Sequence, residues 1–433
     1  MIRGLLDNLC PSPTSRRLAR GAIWGSVAAA GLRILGVGAS FLLARILGQV
    51  GFGEYGMVNS TAGMVGSLAG MGIGLTVTKH VAQFKNTAPD KAGRILALSS
   101  MVTVLSAVVY GVAFVVLAPW LAEKTIAAPH LAPILRISAI TVAMGVVNRV
   151  QTSSLDGCEA FRVKSYIIVG TGIAQTVMVV LGAWLWGLKG AVSGMALATL
   201  VTVIVTRWAV AKEWRRFDIQ LPWRDAKKEW RVLVDFSLPA FLAGISVGPV
   251  MWGSSAFLAN QPNGYKELGI YNAANQWFTA IIFIPGLIGT AVLPVMADKY
   301  GQGDAQGSIR VMKRMMGIVA LVVIPMALVL SLLSPLIMKG YGETFVTGYW
   351  VLVISVATAA LLAVMTPVGQ LIAASGRMWT GFFMNTGWGL VLLLGSYLMV
   401  RWGAEGLAGA RLIAYTVHAI WTFRFAVSQL PKE

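Results

Sequence analysis

The sequence contains few charged residues, and its acidic residues lie in loops or near the ends of apolar segments rather than inside them. Of its 433 residues, 12% are charged and 57% are hydrophobic, whereas a soluble globular protein has about 25% charged residues. Of the 17 acidic residues, those closest to a segment interior are Glu54, Asp156, Asp235 and Asp298. Proton- or sodium-coupled exporters normally need an intramembrane carboxylate, so the shortage disfavours a multidrug antiporter. His418 could titrate instead, although a lone histidine more often bonds a neighbouring helix.

Cysteines, metal-ligand spacings and nucleotide-binding motifs are also scarce. The two cysteines, Cys10 and Cys158, form neither a disulfide framework nor a metal motif. No G-x-x-x-x-G-K-[ST] run occurs, and no loop is long enough for an ATP-hydrolysing domain. We therefore expect no catalytic residue, cofactor or metal. A membrane-embedded polysaccharide polymerase or glycosyltransferase, which would need clustered carboxylates, is disfavoured, and a non-transporting scaffold stays an alternative.

Apolar segments long enough to cross a bilayer recur throughout the chain. A transmembrane helix needs about 20 mainly apolar residues, and twelve such segments can be distinguished. They are residues 21–47, 54–78, 94–119, 130–153, 165–186, 189–211, 236–259, 268–296, 314–337, 347–372, 380–400 and 404–427. The sequence therefore predicts an all-α polytopic membrane protein with twelve transmembrane helices.

Basic residues are distributed unequally between the two sides of this scheme. Of the 35 Lys and Arg residues, 25 fall at the termini and in the loops after even-numbered segments, 6 on the opposite side and 4 within segments. Cytoplasmic loops carry the excess of Lys and Arg, so we expect both termini in the cytoplasm. The same bias explains the net charge of +18 without a nucleic-acid partner.

The longest loop, residues 212–234, lies on the predicted cytoplasmic side. Trp214, Trp223 and Trp230 alternate there with clusters of basic residues. This composition is typical of segments that lie on anionic lipid headgroups. We therefore expect anionic membrane lipid as its partner, and a protein partner is the less favoured alternative.

The two halves of the chain share short motifs in the same order. Residues 52–59 and residues 265–272 both match aromatic-x-Glu-x-Gly-x-x-Asn, 213 residues apart. A Gly-x-x-Gly run at residues 187–190 is repeated at residues 403–406, 216 residues further on. The nearly constant offset predicts two homologous halves.

The repeat predicts a division into two six-helix bundles. Residues 1–211 form the N-terminal bundle, residues 235–433 the C-terminal bundle, and residues 212–234 a cytoplasmic amphipathic linker. Because each half has an even number of spans, both halves enter the membrane from the same side. They are therefore parallel repeats, related by an axis near the membrane normal, and the substrate site of such transporters lies at the repeat interface.

Two glycine-rich runs resemble the start of Wzx-type polysaccharide flippases, which belong to the multidrug/oligosaccharidyl-lipid/polysaccharide exporter superfamily. They are Ala44-Arg45-Ile46-Leu47-Gly48-x-x-Gly51-Phe52-Gly53-x-Tyr55-Gly56 and Gly70-Met71-Gly72-Ile73-Gly74. The resemblance implies a MATE-like arrangement of two bundles around a central cavity that opens alternately to the cytoplasm and the periplasm. It also implies a bacterial inner-membrane location and an oligosaccharide cargo linked by pyrophosphate to undecaprenol. Other polysaccharide assembly proteins are further candidate partners.

Arg33 lies near the middle of the first predicted span. It is about 20 Å from Arg20 and about 18 Å from Arg45 at ~1.5 Å per residue. A central arginine costs roughly 2.5–3.5 kcal/mol on insertion scales and usually faces a protein interior or a wet cavity. Because arginine binds phosphate oxygens bidentately, we expect Arg33 to hold the pyrophosphate. The alternative is neutralisation by carbonyls or a carboxylate of a neighbouring helix.

Four further residues complete the predicted substrate site. Arg411, about 10 Å into the last span from its start at residue 404 at ~1.5 Å per residue, is a second anion-binding candidate, with pairing to carbonyls as the alternative. Asn59, Asn275 and Gln276 could hydrogen-bond sugar hydroxyls or join neighbouring helices. The resemblance favours the cavity, because the family places spans 1, 2, 7 and 8 around it.

Overall fold

The computed structural model describes residues 13–70, 72–237, 247–375 and 378–428, and these are mostly helical, with no strand among them. The α-helices in this part of the chain are α1 (Pro13–Ala69), α2 (Ile73–Phe84), α3 (Pro89–Trp120), α4 (Ala132–Gly157), α5 (Phe161–Arg216), α6 (Val247–Ala259), α7 (Gly264–Gly301), α8 (Ala305–Leu332), α9 (Ser334–Tyr341), α10 (Tyr349–Ala374), α11 (Met378–Met399) and α12 (Gly403–Ser428). Short 3-10 and π turns join several of them.

The helices have the length and surface of membrane spans. Among the described residues, seven helical stretches are long and apolar enough to cross a bilayer, with mean hydropathy between 1.4 and 2.6. On α3, Val104, Val108, Val112 and Val116 recur every fourth residue, so they share one face, and all four are exposed. Such a face suits contact with lipid chains rather than with water. The predicted all-helical membrane fold is confirmed, and the count of twelve spans stays a prediction.

Glycines turn the chain between consecutive spans without a loop. Gly187 inside α5 has φ 57° and ψ −141°, and Gly403 at the start of α12 has φ 64° and ψ −141°. Gly48 inside α1 also has a positive φ, of 68°. Only glycine adopts such φ values readily. Gly187 and Gly403 occupy the same place in the predicted repeat and share one conformation, while the two-repeat layout as a whole stays a prediction.

The predicted second span is interrupted. We expected one helix over residues 54–78, but α1 ends at Ala69 and α2 begins at Ile73, after Gly72 with φ 64°. The prediction of a continuous helix was wrong because the residues on both sides of the break are apolar. Hydropathy therefore gives no sign of where the helix ends. Part of the predicted seventh span, residues 238–246, lies outside the described residues.

The first of two compact units comprises residues 13–36, 62–119 and 132–237. In it, α4 packs against α2 and α5. A buried apolar cluster joins α2, α3 and the long loop, and it includes Val77, Leu96 and Ile219. Beside this cluster, Nζ of Lys85 donates to Oε1 of Glu159 at 2.8 Å. The long loop is therefore packed onto the ends of these helices.

The second compact unit comprises Val37–Thr61, Trp120–Leu131 and the described residues from 247 onward. Here α10 packs against α7, α8 and α12, and α11 packs against α6 and α12. The grouping does not follow the predicted division at residue 211. The second part of α1, residues 37–61, packs against the start of α7 in backbone contact. The homology of the sequence halves is a separate matter and stays a prediction.

Candidate substrate cavity

A polar cavity of about 360 Å³ lies within the second unit, between the second part of α1, α6 and α7. Its volume is near the lower end of the roughly 300–1,000 Å³ typical of small-molecule sites. The polar lining residues are Tyr55, Asn59, Ser60, Ser255, Tyr271, Asn272, Asn275 and Gln276. None of the described lining residues is charged. The cavity therefore offers hydroxyl and amide groups rather than an ion pair.

Residues of both repeat motifs line this cavity. Asn59 and Asn272 are the last residues of the motifs at 52–59 and 265–272, and both line the cavity. Asn59 lies one helical turn after Tyr55, which also lines the cavity. Nδ2 of Asn272 is buried without a hydrogen-bond partner, and such an unsatisfied donor costs roughly 1–3 kcal/mol. A ligand or an ordered water in the cavity would satisfy it.

The structure brings together four of the five predicted site residues. Asn59, Asn275 and Gln276 line the cavity directly. Arg411 is buried beside it, and its Nη1 donates to Oδ1 of Asn275 at 2.8 Å and to Oη of Tyr271 at 3.3 Å. The alternative that Arg411 pairs with backbone carbonyls is not seen among its described contacts. A role in substrate binding stays a prediction for all four.

Arg33 belongs to the first unit, and its guanidinium is partly buried. Its Nε is buried without a hydrogen-bond acceptor. No carboxylate among the described residues forms an ion pair with it, so the alternative of a neighbouring acid finds no support there.

The glutamates of the repeat motifs hold neighbouring elements and do not line the cavity. Glu54 accepts from Nε2 of His130 at 2.6 Å. Glu267 accepts from the backbone N–H of Ala404 at 2.9 Å, at the first turn of α12, where a carboxylate satisfies a free N–H group and suits the helix dipole. Both acids therefore have structural partners.

Sequence reasoning missed several lining residues. Asn272 could have been found, because it occupies the position of Asn59 in the repeat. Tyr271 is adjacent to it, but nothing in the sequence distinguishes it from the other tyrosines. Ser60 and Ser255 give no signal either, since serine is common in membrane helices as an interhelical residue.

A second cavity, of about 270 Å³, lies among α10, α11 and α12. Its wall is mainly apolar, with Thr366, Asn385, His418 and Thr422 as polar members. No carboxylate lines it among the described residues. It therefore offers no acid of the kind that ion-coupled exporters use.

The family model described as polysaccharide biosynthesis protein matches residues 18–299. This chain belongs to that family. This chain is 25% identical over 425 residues to one relative, the "EPS I polysaccharide export inner membrane protein EpsE" of Ralstonia nicotianae. The match covers 95% of this chain and 94% of the relative. The expected resemblance to polysaccharide exporters is confirmed.

The fold of this family member is similar to those of two solved transport proteins. A multidrug resistance MATE family transporter in its inward-facing conformation matches with TM-score 0.79 at 14% identity, covering 92% of this chain and 94% of that one. The lipid II flippase MurJ in an inward closed conformation matches with TM-score 0.74 at 14% identity, covering 94% and 88%. The predicted MATE-like fold is confirmed, and none of these proteins is named as an enzyme.

Proposed function

We propose that this family member flips an oligosaccharide, linked by pyrophosphate to undecaprenol, across the bacterial inner membrane by alternating access during surface polysaccharide synthesis. The observation that supports this best is the uncharged cavity walled by amides and hydroxyls. These groups both donate and accept hydrogen bonds, as sugar hydroxyls do. The polysaccharide family and the export function in the relative's name favour a sugar cargo.

The two parts of such a cargo need different chemistry. The sugars would contact Asn59, Asn275 and Gln276, whose amides match hydroxyl groups. The pyrophosphate needs a fixed positive charge where water is scarce, and Arg33 offers a guanidinium free of any described carboxylate. This division assigns four of the five predicted residues, all except Arg411, to chemical groups of the cargo.

The multidrug antiporter is the less favoured function. An antiporter couples export to a proton or sodium ion, usually through an intramembrane carboxylate. The described linings of both cavities contain no aspartate or glutamate. The similarity to a MATE transporter shows the fold and not the cargo.

The proposed function can be tested in a strain that lacks this protein. Lipid extracts should accumulate a polyprenyl pyrophosphate bearing the complete repeat unit, identified by mass spectrometry, while surface polysaccharide is lost. An unchanged pool of lipid-linked intermediates, together with normal surface polysaccharide, would contradict the proposal.

The topology follows from the charge bias and can be tested separately. We expect both termini and residues 212–234 in the cytoplasm and residues 260–267 in the periplasm. A cysteine replacing exposed Lys228 should be protected from an impermeant thiol reagent in intact cells, whereas one replacing Gln261 should be labelled. Burial raises the pKa of the Cys158 thiol to about 11, so this native thiol should stay unreactive at pH 7–8. Labelling at 228 from outside would overturn the scheme.

The loop at residues 212–234 presents a surface suited to anionic lipid. Ile219 and Ala226 are buried within the first unit, whereas Trp223 and Trp230 are 51% and 56% exposed. Exposed Arg224, Lys227, Lys228 and Arg231 accompany them. Interfacial tryptophan combined with basic residues is the composition that binds anionic headgroups.

Replacing Trp223 and Trp230 together with serine should therefore lower the amount of phosphatidylglycerol that co-purifies with the protein, measured by mass spectrometry. Trp208→Ser is the matched control, because Trp208 is also exposed but lies within α5. An equal loss of lipid in the control would show that the loop makes no specific contact with lipid headgroups.

A further inference from the structure

Arg411 is a buried cation with no described acidic partner. Its side chain is 4% exposed, and its Cζ lies 3.4 Å from the ring centroid of Phe278, where the guanidinium packs against the aromatic ring. Its Nε is buried without an acceptor. Buried charges are normally paired, because removing them from water is costly. Among the described residues, the positive charge beside the cavity is thus compensated only by neutral groups.

The contacts of Arg411 set the polarity of two lining side chains. A guanidinium only donates hydrogen bonds, so Oδ1 of Asn275 and Oη of Tyr271 act as acceptors toward it. This leaves the amide N–H groups of Asn275 and the hydroxyl hydrogen of Tyr271 available as donors. Both residues line the cavity. One wall of the uncharged cavity therefore favours hydrogen-bond donors over acceptors.

We propose that Arg411 is a positioning residue that makes this wall select a carboxylate-bearing sugar over its uncharged counterpart, which rests on the proposed function. Arg411 does not touch the sugar. It holds Asn275 and Tyr271 as donors, and its charge strengthens their hydrogen bonds to an anionic oxygen. The acidic sugar would belong to the repeat unit of the exported oligosaccharide.

Binding of small sugars to the purified full-length protein tests the selectivity without export. Methyl glucuronide bears a carboxylate, and its methyl ester has nearly the same shape without the charge. In nanodiscs of zwitterionic lipid, calorimetric titration should show at least tenfold tighter binding of the glucuronide than of the ester. Equal affinity for the two would overturn the proposal.

Substitutions separate a positioning role from a structural one. Asn275→Asp keeps the side-chain shape and the acceptor for Arg411 but compensates its charge and removes the amide donors, so the affinity ratio should fall to about one. Arg411→Lys keeps the charge and should retain part of the preference, whereas Arg411→Gln should lose it. If Arg411 were only structural, its two variants would change thermal stability and leave the ratio unchanged. Arg411→Lys answers the question where Arg411→Gln fails to fold.

Two further measurements identify which part of the cargo supplies the anion and test this proposal separately from the proposed function. Inorganic pyrophosphate should not compete with the glucuronide at this wall. Competition that disappears in Asn275→Asp would assign the wall to the carrier's pyrophosphate and contradict an acidic sugar. Normal export by a protein without carboxylate preference would overturn only this proposal. A clear preference in a protein whose loss leaves lipid-linked intermediates unchanged would overturn only the proposed function.

Discussion

Replacing Arg33 with alanine is expected to abolish surface polysaccharide export while leaving the amount of protein in the membrane close to normal. The guanidinium would form two charge-assisted hydrogen bonds to pyrophosphate, each contributing roughly 1.5–3 kcal/mol. Their loss should slow flipping by about a hundredfold or more. Nε of Arg33 is buried without an acceptor, and no described carboxylate forms an ion pair with this residue, so its removal leaves no described carboxylate unpaired. Surface polysaccharide measured against membrane protein level separates the two effects.

A short series at the same position defines the chemistry. Arg33→Lys should retain partial export, since the charge stays and the planar fork is lost. Arg33→Glu should be at least as damaging as alanine, because a carboxylate repels the cargo. Ile34→Ala is the matched control, since Ile34 is adjacent and 75% exposed, and it should export normally. Full export by Arg33→Ala at normal protein level would exclude Arg33 from the mechanism.

Replacing Gly53 with leucine is expected to prevent stable folding. A Cβ atom at Gly53 would lie 1.9 Å from the backbone oxygen of Tyr265, and backbone atoms cannot move aside as a flexible side chain can. Overpacking typically costs about 1–3 kcal/mol, and the rigid neighbour places this site at the upper end or above. The protein recovered from membranes, and its thermal unfolding temperature in detergent, should both fall sharply.

Gly63→Leu is the matched control for this substitution. Gly63 lies ten residues further along the same helix, and nothing lies within 4 Å of a Cβ atom built there. Its replacement should leave the yield and unfolding temperature nearly unchanged. A similar loss in both variants would show that the glycines matter for insertion in general, and the crossing beside Tyr265 would then have no special importance.

The fold class was predictable from sequence because hydropathy and helix length report the membrane environment directly. The turns at Gly48, Gly187 and Gly403 fall where apolar segments were predicted to end. The break between Ala69 and Ile73 was not predicted, because its neighbours are apolar on both sides. The packing of residues 37–61 with the C-terminal part was not predictable either, since it depends on backbone contacts between residues over 200 positions apart.

The site was predictable in part. Asn59, Asn275 and Gln276 were identified as polar residues in apolar spans, and they line one cavity. The position of Arg411 behind this wall could not be deduced, because depth along a helix does not reveal which side faces a cavity. Tyr271 escaped notice for a similar reason. Its importance comes from a contact with a residue 140 positions away.

The sequence separation between Arg411 and its acceptors has a consequence for biogenesis. Asn275 and Tyr271 precede Arg411 by 136 and 140 residues, so at about 5–20 residues per second they are synthesised roughly 7–28 s earlier. The helix α12 therefore enters the membrane when the oxygens that receive its guanidinium are already present. The same segment made alone would expose its guanidinium to lipid at that depth, at a cost of roughly 2.5–3.5 kcal/mol, so we expect α12 to insert more readily when α7 is present. Arg33 emerges first of all and must wait for any partner the later chain provides.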